Sequence, residues 1–440
     1  MLYNKYKLKN VKTNILSKVD VLGSFDFTTC LISLDSLEIN DLEVLKNGQI
    51  NLPEVNAKYR KILPLAIHEY THFIDATSTV WGFNHLLMMN DAYLSNDKIT
   101  KDENEFYKAK KFYNHMNRIK YPKYYTTIGK LEKKVQWRAD PSVGILFGNN
   151  GQITEETIMF LRFSSISGEH IARSPISPVS ILEASAMANE ILSEFLLLKK
   201  LNKDDFTIHL KFFTDKILSI IYNKELTEYS ACVHMLANQQ RCTDIIQAFR
   251  LVSIITRVVL NCTEDVFDKV IEHNKFKNIF SITEESIIYK RLKDGLRYRN
   301  IGVLYYLIVY GLPENSFENS DKAIQGVEES INNLGISIDF IKESAIQYID
   351  NNLEQLISSN IKSIAKLANS AKENFDTIDI MSMALPFDKL NIPKVFLGDA
   401  SETFIFNNKE NSLSEFDLDI CFDELAEGES WVKRFSEGCV

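Results

Sequence analysis

The chain has 440 residues, of which 45% are hydrophobic, 25% are charged and 11% are aromatic. These values are typical of globular proteins, and they exclude a disordered, collagen-like or low-complexity chain. Asp and Glu outnumber Lys and Arg by 59 to 50, and the resulting net charge of −9 argues against a general polyanion-binding surface.

Residues 1–60 mix β-branched residues with turn signals, and the segment 19–35 (VDVLGSFDFTTCLISLD) predicts short strands. From residue 61 the pattern is helical. Residues 178–375 predict a succession of helices, and within 335–371 apolar residues recur at steps of mostly three to five, as on one helix face. We expect this stripe to pack inside the protein; docking against a partner helix is the alternative.

A lysine-rich and aromatic-rich segment precedes these helices. Residues 101–140 contain eleven Lys or Arg against five Asp or Glu. An amphipathic helix over 101–138, with a solvated lysine face and buried aromatics, is the favoured interpretation. Nucleic-acid binding through phosphate contacts and stacking is the alternative. We expect no nucleic-acid partner, because no recognisable nucleic-acid motif accompanies the segment.

The C-terminal segment is acidic, with eight Asp or Glu and no Lys or Arg between residues 410 and 430. Such an end is by default a solvated tail, and an autoinhibitory strap or a partner-binding segment are the alternatives. Phe416, Phe422 and Trp431 indicate partial docking.

Cysteine usage and hydropathy bear on the compartment. Six cysteines show neither a CxxC pair nor a framework spacing. The first residues lack an apolar segment followed by a small-residue cleavage site. No stretch reaches the roughly 20 uncharged apolar residues of a membrane span, and the best candidates, 245–260 and 301–310, predict buried helices. We expect a cytoplasmic protein with reduced thiols and no membrane partner.

One short pattern carries chemistry, namely HExxH as His68-Glu69-Tyr70-Thr71-His72. On a helix, residues four apart lie on one face, so both imidazoles converge and can hold one zinc ion. Glu69 lies about 100° further round, where a carboxylate can move a proton from a metal-bound water to a leaving amine. Residue frequencies give roughly a 2% chance of a random match. A metal-free, hydrogen-bonded buried pair is the alternative.

A zinc hydrolase needs a third protein ligand and one position open to water. The metzincin extension HExxHxxGxxH is absent, because Asp75 and Ser78 occupy the positions of its Gly and its third His. A later helix, predicted to begin at Pro178 after Ser177 as its cap, carries Glu183 among small residues. These small neighbours allow close packing against the HExxH helix, which makes Glu183 the first candidate.

Three other residues are weaker candidates for the third ligand. Glu190 follows Glu183 by seven residues and lies on nearly the same helix face. His85, near a turn predicted at Gly82, and Cys30, in an apolar strand, are more often structural residues.

HExxH followed far downstream by a Glu with Ala three residues later, here Glu183 and Ala186, resembles the gluzincin branch of the zincin zinc metallopeptidases. The resemblance implies that His68, His72 and Glu183 bind zinc and that Glu69 is the general base and acid. It covers two short motifs, of which HExxH is specific and ExxA is weak. The 111-residue gap between His72 and Glu183 is longer than in many gluzincins, and Met187 replaces the acidic residue often found four after the ligand Glu.

Supporting roles are open at this stage. Asp75, one turn after His72, can accept the ring N–H of a ligand histidine or can solvate the helix end. A peptidase also needs a group that stabilises the oxyanion, and the candidates are His170, Arg173, Tyr229 and His234.

The sequence therefore predicts an α+β fold that is predominantly α-helical, with a zincin-like core, a small N-terminal β-sheet and a large helical C-terminal region. The expected units are an N-terminal β-containing segment of the catalytic unit (1–60), a metallopeptidase core (61–200), a helical domain (201–375) and a C-terminal segment with the acidic tail (376–440).

The predicted function is that of an intracellular zinc-dependent metallopeptidase with one Zn²⁺ per chain. Its substrate would be a protein or peptide, restricted in range, and the long helical region suggests a dedicated regulatory protein partner. One alternative is a non-catalytic, metal-stabilised interaction protein. The other is a deformylase-like amide hydrolase with Cys30, 38 residues before His68, as its third ligand.

Overall fold

The computed structural model describes residues 22–46, 49–98, 103–130, 135–148, 151–406, 408 and 410–438. In this part of the chain the fold is mostly α-helical and contains two small four-stranded sheets. The predicted class, α+β and predominantly α-helical, is therefore confirmed.

The helices of the described residues are α1 (Pro53–Thr77), α2 (Val80–Leu94), α3 (Glu103–Ile119), α4 (Pro178–Leu198), α5 (Lys203–Ile221), α6 (Thr227–Gln240), α7 (Ile245–Leu260), α8 (Glu264–His273), α9 (Phe276–Ile279), α10 (Ile287–Arg297), α11 (Ile301–Tyr310), α12 (Ser320–Asn333), α13 (Ile338–Ile357), α14 (Lys362–Thr377) and α15 (Leu418–Gly438). The strands are β1 (Ser24–Asp26), β2 (Leu31–Leu34), β3 (Thr127–Ile128), β4 (Trp137–Phe147), β5 (Ile153–Ser165), β6 (His170–Pro175), β7 (Val395–Leu397) and β8 (Glu402–Thr403).

The first sheet has the order β1-β2-β7-β8. Strands β1 and β2 are the short strands predicted within 19–35, and they form an antiparallel hairpin. Strand β2 pairs in parallel with β7, with Ser33 opposite Phe396, and β7 pairs with β8 in antiparallel orientation. Half of the predicted N-terminal sheet is therefore supplied by the C-terminal segment.

The second sheet, of order β3-β6-β5-β4, is antiparallel and is absent from the sequence prediction. Strand β4 contains Pro141 and Gly144, which are unfavourable in strands. Its side chains are mostly half-buried and do not alternate. The local sequence is therefore a poor strand former, and β4 is stabilised by its long antiparallel pairing with β5, which starts with Trp137 opposite Ser165.

The lysine-rich and aromatic-rich segment is helical only in its first part. Helix α3 is amphipathic as predicted, since Phe112 is 1% exposed and Lys111 and Arg118 are exposed. Tyr107, which is 63% exposed, departs from the predicted burial of the aromatic residues. After Ile119 the helix prediction is wrong, because the chain continues into a short 3₁₀ turn and β3, and Trp137 begins β4.

Helix α4 occupies the centre of the helical region and packs against α1, α6 and α7. The two apolar segments 245–260 and 301–310 are buried helices, as predicted, and correspond to α7 and α11. No single helix of the described residues is long and apolar enough to cross a membrane; α7 and α8, bent by 101° at the break between them, pass that test only as a pair.

The apolar stripe of 335–371 is divided between two helices, α13 and α14, which pack against each other. Its predicted internal packing is confirmed, because Ile341, Leu356, Ile364 and Ala368 are fully buried.

The turn predicted at Gly82 is wrong, because Gly82 lies in the first turn of α2. Thr79 caps this helix by accepting a hydrogen bond from Gly82 N. A Cβ at Gly82 would lie 2.4 Å from the Asp75 carbonyl oxygen. Glycine is therefore needed because α2 crosses the end of α1 at backbone contact distance.

The acidic C-terminal segment is not a solvated tail. Most of it forms α15, which packs on α2 and α3 and buries Phe416 and Leu425. Trp431 Nε1 donates to Ser95 Oγ at 2.9 Å, and Glu424 accepts hydrogen bonds from Ser363 N and Oγ. The indication of partial docking from the aromatic residues is confirmed.

Two histidines, His85 and the half-buried His115, join α2, α3 and the hairpin turn after β1. His85 is fully buried; its Nε2 lies 2.7 Å from Phe27 O, and its Nδ1 lies 3.1 Å from His115 Nε2. Burial lowers the pKa of His85 to about 4, against the opposing effect of the Phe27 carbonyl. Burial and the charge of His85 lower the pKa of His115 to about 3. Both rings are therefore neutral in the folded protein.

We expect the metal-free protein to lose stability as the pH falls from about 6.5 towards 4. In this range the unfolded histidines take up protons and the folded ones do not, which costs roughly 2–3 kcal/mol per histidine by pH 4. Urea unfolding at a series of pH values measures the slope. The double variant H85Q/H115Q should have a flatter profile than wild type, whereas His273→Gln, at an exposed position, should not. Equal slopes in wild type and the double variant would contradict this origin.

Candidate metal centre

Helices α1 and α4 bring together the two histidines of HExxH and the predicted third ligand. The Nε2 atoms of His68 and His72 lie 3.4 Å and 3.5 Å from Glu183 Oε2. One ligand atom from each of the three residues lies within 4.8 Å of the other two, and no other group of this kind is found among the described residues. Ligands bound about 2.0–2.2 Å from a tetrahedral zinc ion lie about 3.3–3.6 Å from one another.

The local sequence explains how α4 presents Glu183. The helix starts with the predicted Ser177 cap and Pro178, and Ser177 and Ser180 form a reciprocal capping box. Glu183 then faces α1 from the second turn. Its small neighbours Ala184 and Ser185 are 1% exposed, as expected where two helices approach closely.

The electrostatics of the site depend on a buried carboxylate between two imidazoles. Burial alone would raise the pKa of Glu183, but the charge of His72 and the contacts with both histidines lower it to about 2. Glu183 Oε2 has no hydrogen-bond partner among the described residues, and at 3.4–3.5 Å the histidine contacts are too long for good hydrogen bonds. An unsatisfied carboxylate oxygen facing two imidazole nitrogens fits a zinc ion, whose preferred donors these are.

Glu190 is placed as a partner of His68 and not as a member of the three-atom group. Its Oε2 lies 2.9 Å from His68 Nδ1, the nitrogen that faces away from Glu183. Burial would lower the pKa of His68, but its contact with Glu183 and its hydrogen bond with Glu190 raise it well above the usual value. Glu190 thus fixes the orientation of the His68 ring. It lies about one turn further along α4 than Met187, the residue found where gluzincins often have an acidic side chain.

The other two ligand alternatives are separate from this group. Both ring nitrogens of His85 are engaged, with Phe27 O and His115, so its predicted structural role is confirmed. Cys30 is buried in the turn of the β1–β2 hairpin, near Cys421 of α15.

Glu69 lies beside the histidines and is 6% exposed. Burial raises its pKa, and the charges of His68 and His72 oppose this effect. Its side chain meets the backbone just before β1, since a Cβ at Gly23 would lie 3.1 Å from Glu69 Cγ. The same hairpin brackets His72, with Phe25 and Phe27 ring centroids 6.3 Å and 6.1 Å from its ring.

Among the four oxyanion candidates, Tyr229 is the one placed near Glu183. The charge of Glu183 and, next, burial raise the pKa of its phenol, so the hydroxyl stays protonated at neutral pH. The neighbouring residue of α6, Glu228, pairs with Lys120 at 2.7 Å. This ion pair is not predictable from the sequence, because nothing in either segment connects it to HExxH.

The remaining three candidates have structural contacts of their own. His170 Nε2 lies 3.1 Å from Thr127 Oγ1 between β6 and β3. Arg173 donates to Tyr125 O and stacks over Phe160. His234 Nε2 lies 2.7 Å from Ile221 O, and its ring stacks on Trp137.

Asp75 is buried, with 2% exposure, so the prediction that it solvates the helix end is wrong. Burial raises its pKa to about 6, while a hydrogen bond from Ser185 and the charges of His72 and Arg257 oppose that rise. The carboxylate therefore lies in the contact between α1, α4 and α7.

No family model, curated protein or solved structure matches this chain. Interpretation of the site therefore depends on its own geometry and on the two sequence motifs.

We expect Glu183 and Glu190 to differ in their effect on metal content. Removal of a ligand in Glu183→Ala should reduce bound zinc from about one per chain to near zero. Glu190→Gln should keep the stoichiometry and weaken affinity about 10- to 100-fold, because it removes only the support of His68. Elemental analysis and competition with a chromogenic chelator measure both quantities.

Glu194→Gln is the matched control on α4, because Glu194 pairs with Arg60 and Lys216 away from the histidines. Loss of zinc in Glu190→Gln with retention in Glu183→Ala would reverse the two assignments.

Proposed function

We propose that the protein is a zinc-dependent metallopeptidase in which His68, His72 and Glu183 hold the metal. The observation that carries this proposal is the convergence of two imidazole Nε2 atoms and one carboxylate oxygen at distances of 3.4–3.5 Å. Two histidines and a glutamate with one open position are the donor set of several zinc hydrolases. The same donors also suit other divalent ions.

Zinc bound at these atoms supplies Lewis acidity, which polarises a substrate carbonyl and acidifies a water molecule. The rest of the chemistry belongs to the chain. Glu69 is adjacent to His68 and buried, and its raised pKa makes it a stronger base than an exposed glutamate. We assign to Glu69 the transfer of a proton from the attacking water to the leaving amine.

Tyr229 is the proposed donor to the negative oxygen that develops on the scissile carbonyl. The charge of Glu183 and burial raise the pKa of the Tyr229 phenol and keep the hydroxyl protonated. A preorganised donor at this position stabilises charge that appears only in the transition state.

A peptide substrate is favoured by the two sequence motifs, HExxH and the downstream Glu183, which resemble those of zinc metallopeptidases. A restricted protein substrate, an intracellular location and a regulatory partner are further parts of the proposal, motivated by the sequence.

Replacement of the base tests the catalytic assignment. Glu69→Gln keeps the size of the side chain and removes its basicity, so we expect normal zinc content and loss of peptide cleavage by at least 100-fold. Cleavage of a peptide library by the zinc-loaded wild-type protein, read by mass spectrometry, provides the assay. An active Glu69→Gln protein would refute the mechanism, and a zinc-loaded wild type that cleaves no peptide would favour a metal-stabilised interaction protein.

Removal of one hydroxyl tests the oxyanion assignment. Tyr229→Phe should lower kcat about 10²- to 10³-fold with little change in KM, because the lost hydrogen bond forms in the transition state. Tyr222→Phe is the control, since Tyr222 is 47% exposed at the end of α5. An unchanged kcat in Tyr229→Phe would assign the role to another group.

A further inference from the structure

The two histidines of the candidate metal centre differ at their second ring nitrogen. His68 Nδ1 lies 2.9 Å from Glu190 Oε2. His72 Nδ1 is buried and has no hydrogen-bond partner among the described residues. The His72 ring is 3% exposed and lies between Phe25 and Phe27, so bulk water does not supply a partner. A buried polar atom without a partner is costly and calls for an explanation.

A second unpaired polar atom lies one turn further along α1. Asp75 Oδ2 is also buried without a hydrogen-bond partner in the part of the chain that the structure describes. Residues three apart on a helix are neighbours on its surface, and the charge of His72 is among the groups that act on the Asp75 carboxylate. One atom is a potential N–H donor and the other is an acceptor, so a hydrogen bond between them would satisfy both.

We propose that Asp75 is a positioning residue, which accepts the Nδ1–H of His72 when the metal is bound and fixes Nε2 towards the ion. This inference rests on the proposed zinc site. Asp75 would then do for His72 what Glu190 does for His68. Carboxylates in this position orient the ring, fix its tautomer and raise the basicity of the ligand nitrogen.

The surroundings of Asp75 hold the carboxylate in place. Ser185 of α4 hydrogen-bonds to it, and the buried Arg257 of α7 balances its charge. The guanidinium is itself fixed, because it donates to Ser382 O and to Ser253 Oγ. His72 is thereby connected through Asp75 and Arg257 to the segment that follows α14, a link that the HExxH motif alone does not contain.

Zinc affinity of the folded protein tests the proposal without an activity assay. Asp75→Asn keeps the shape of the side chain and removes its charge, and we expect about 10- to 100-fold weaker zinc binding by chelator competition. Glu190→Gln is the reference for an equivalent loss at His68. Asp376→Asn is the control, because this aspartate is exposed on α14 and pairs with Lys372.

The results separate the inference from the proposed function. A wild-type protein that binds no zinc would refute both. Zinc binding by wild type with an affinity in Asp75→Asn within twofold of it would refute the positioning role alone. An equal loss in the Asp376→Asn control would also refute it, because the effect would then be non-specific.

A measurement on the wild-type protein covers the case in which Asp75→Asn does not fold. In ¹⁵N-histidine NMR of the zinc-loaded protein, we expect two histidines coordinated through Nε2, each with a slowly exchanging Nδ1–H. A downfield Nδ1–H proton on His72 as well as on His68 would support the bond to Asp75. A coordinated His72 whose Nδ1–H lacks this shift would overturn the proposal.

Discussion

The close packing of α1 against α4 is the constraint on which the candidate site depends. It places His68 and His72 against Glu183 in an environment where all three are largely buried. A carboxylate removed from water is costly unless it is paired, so this contact is stable only if the histidines, or a cation that they share, compensate the charge. The small residues of α4 serve this arrangement because they let the backbones approach without displacing the polar side chains.

Other elements hold α1 and α4 in this arrangement. The β1–β2 hairpin closes one side with Phe25 and Phe27, and the hairpin turn is held by His85 and by Tyr93, whose hydroxyl donates to Thr28 O. Gly82 allows α2 to cross the end of α1 at backbone contact. Helix α15 then packs on α2 and α3. The C-terminal segment therefore packs on helices that in turn hold the candidate site. Its acidic side chains are mostly exposed while most of its apolar ones are buried, so acidic composition alone gave a misleading indication of a solvated tail.

The sequence predicted the parts of the site that are local to one helix. Four-residue spacing fixes the relation of His68 to His72, and the Ser177–Pro178 start fixes the face of α4 that carries Glu183. The sequence did not decide among the candidates for supporting roles, because the proposed roles of Glu190, Tyr229 and Asp75 depend on which helices pack together. The β4–β5 hairpin was missed for the same reason, since its register is set by partner strands rather than by alternation within β4.

The two ring nitrogens of His68 face two different carboxylates. Its Nε2 faces Glu183 and its Nδ1 faces Glu190, so without a metal the ring is stabilised as a cation between two carboxylates. A divalent ion at the three-atom group would replace the proton on Nε2, while Glu190 would retain the proton on Nδ1 and so select the tautomer that binds metal. His72 and Glu183 each keep a buried atom without a hydrogen-bond partner among the described residues. Metal binding would release a proton from His68, at a cost set by its raised pKa, and would satisfy Glu183 Oε2, which a metal-free buried pair leaves unsatisfied.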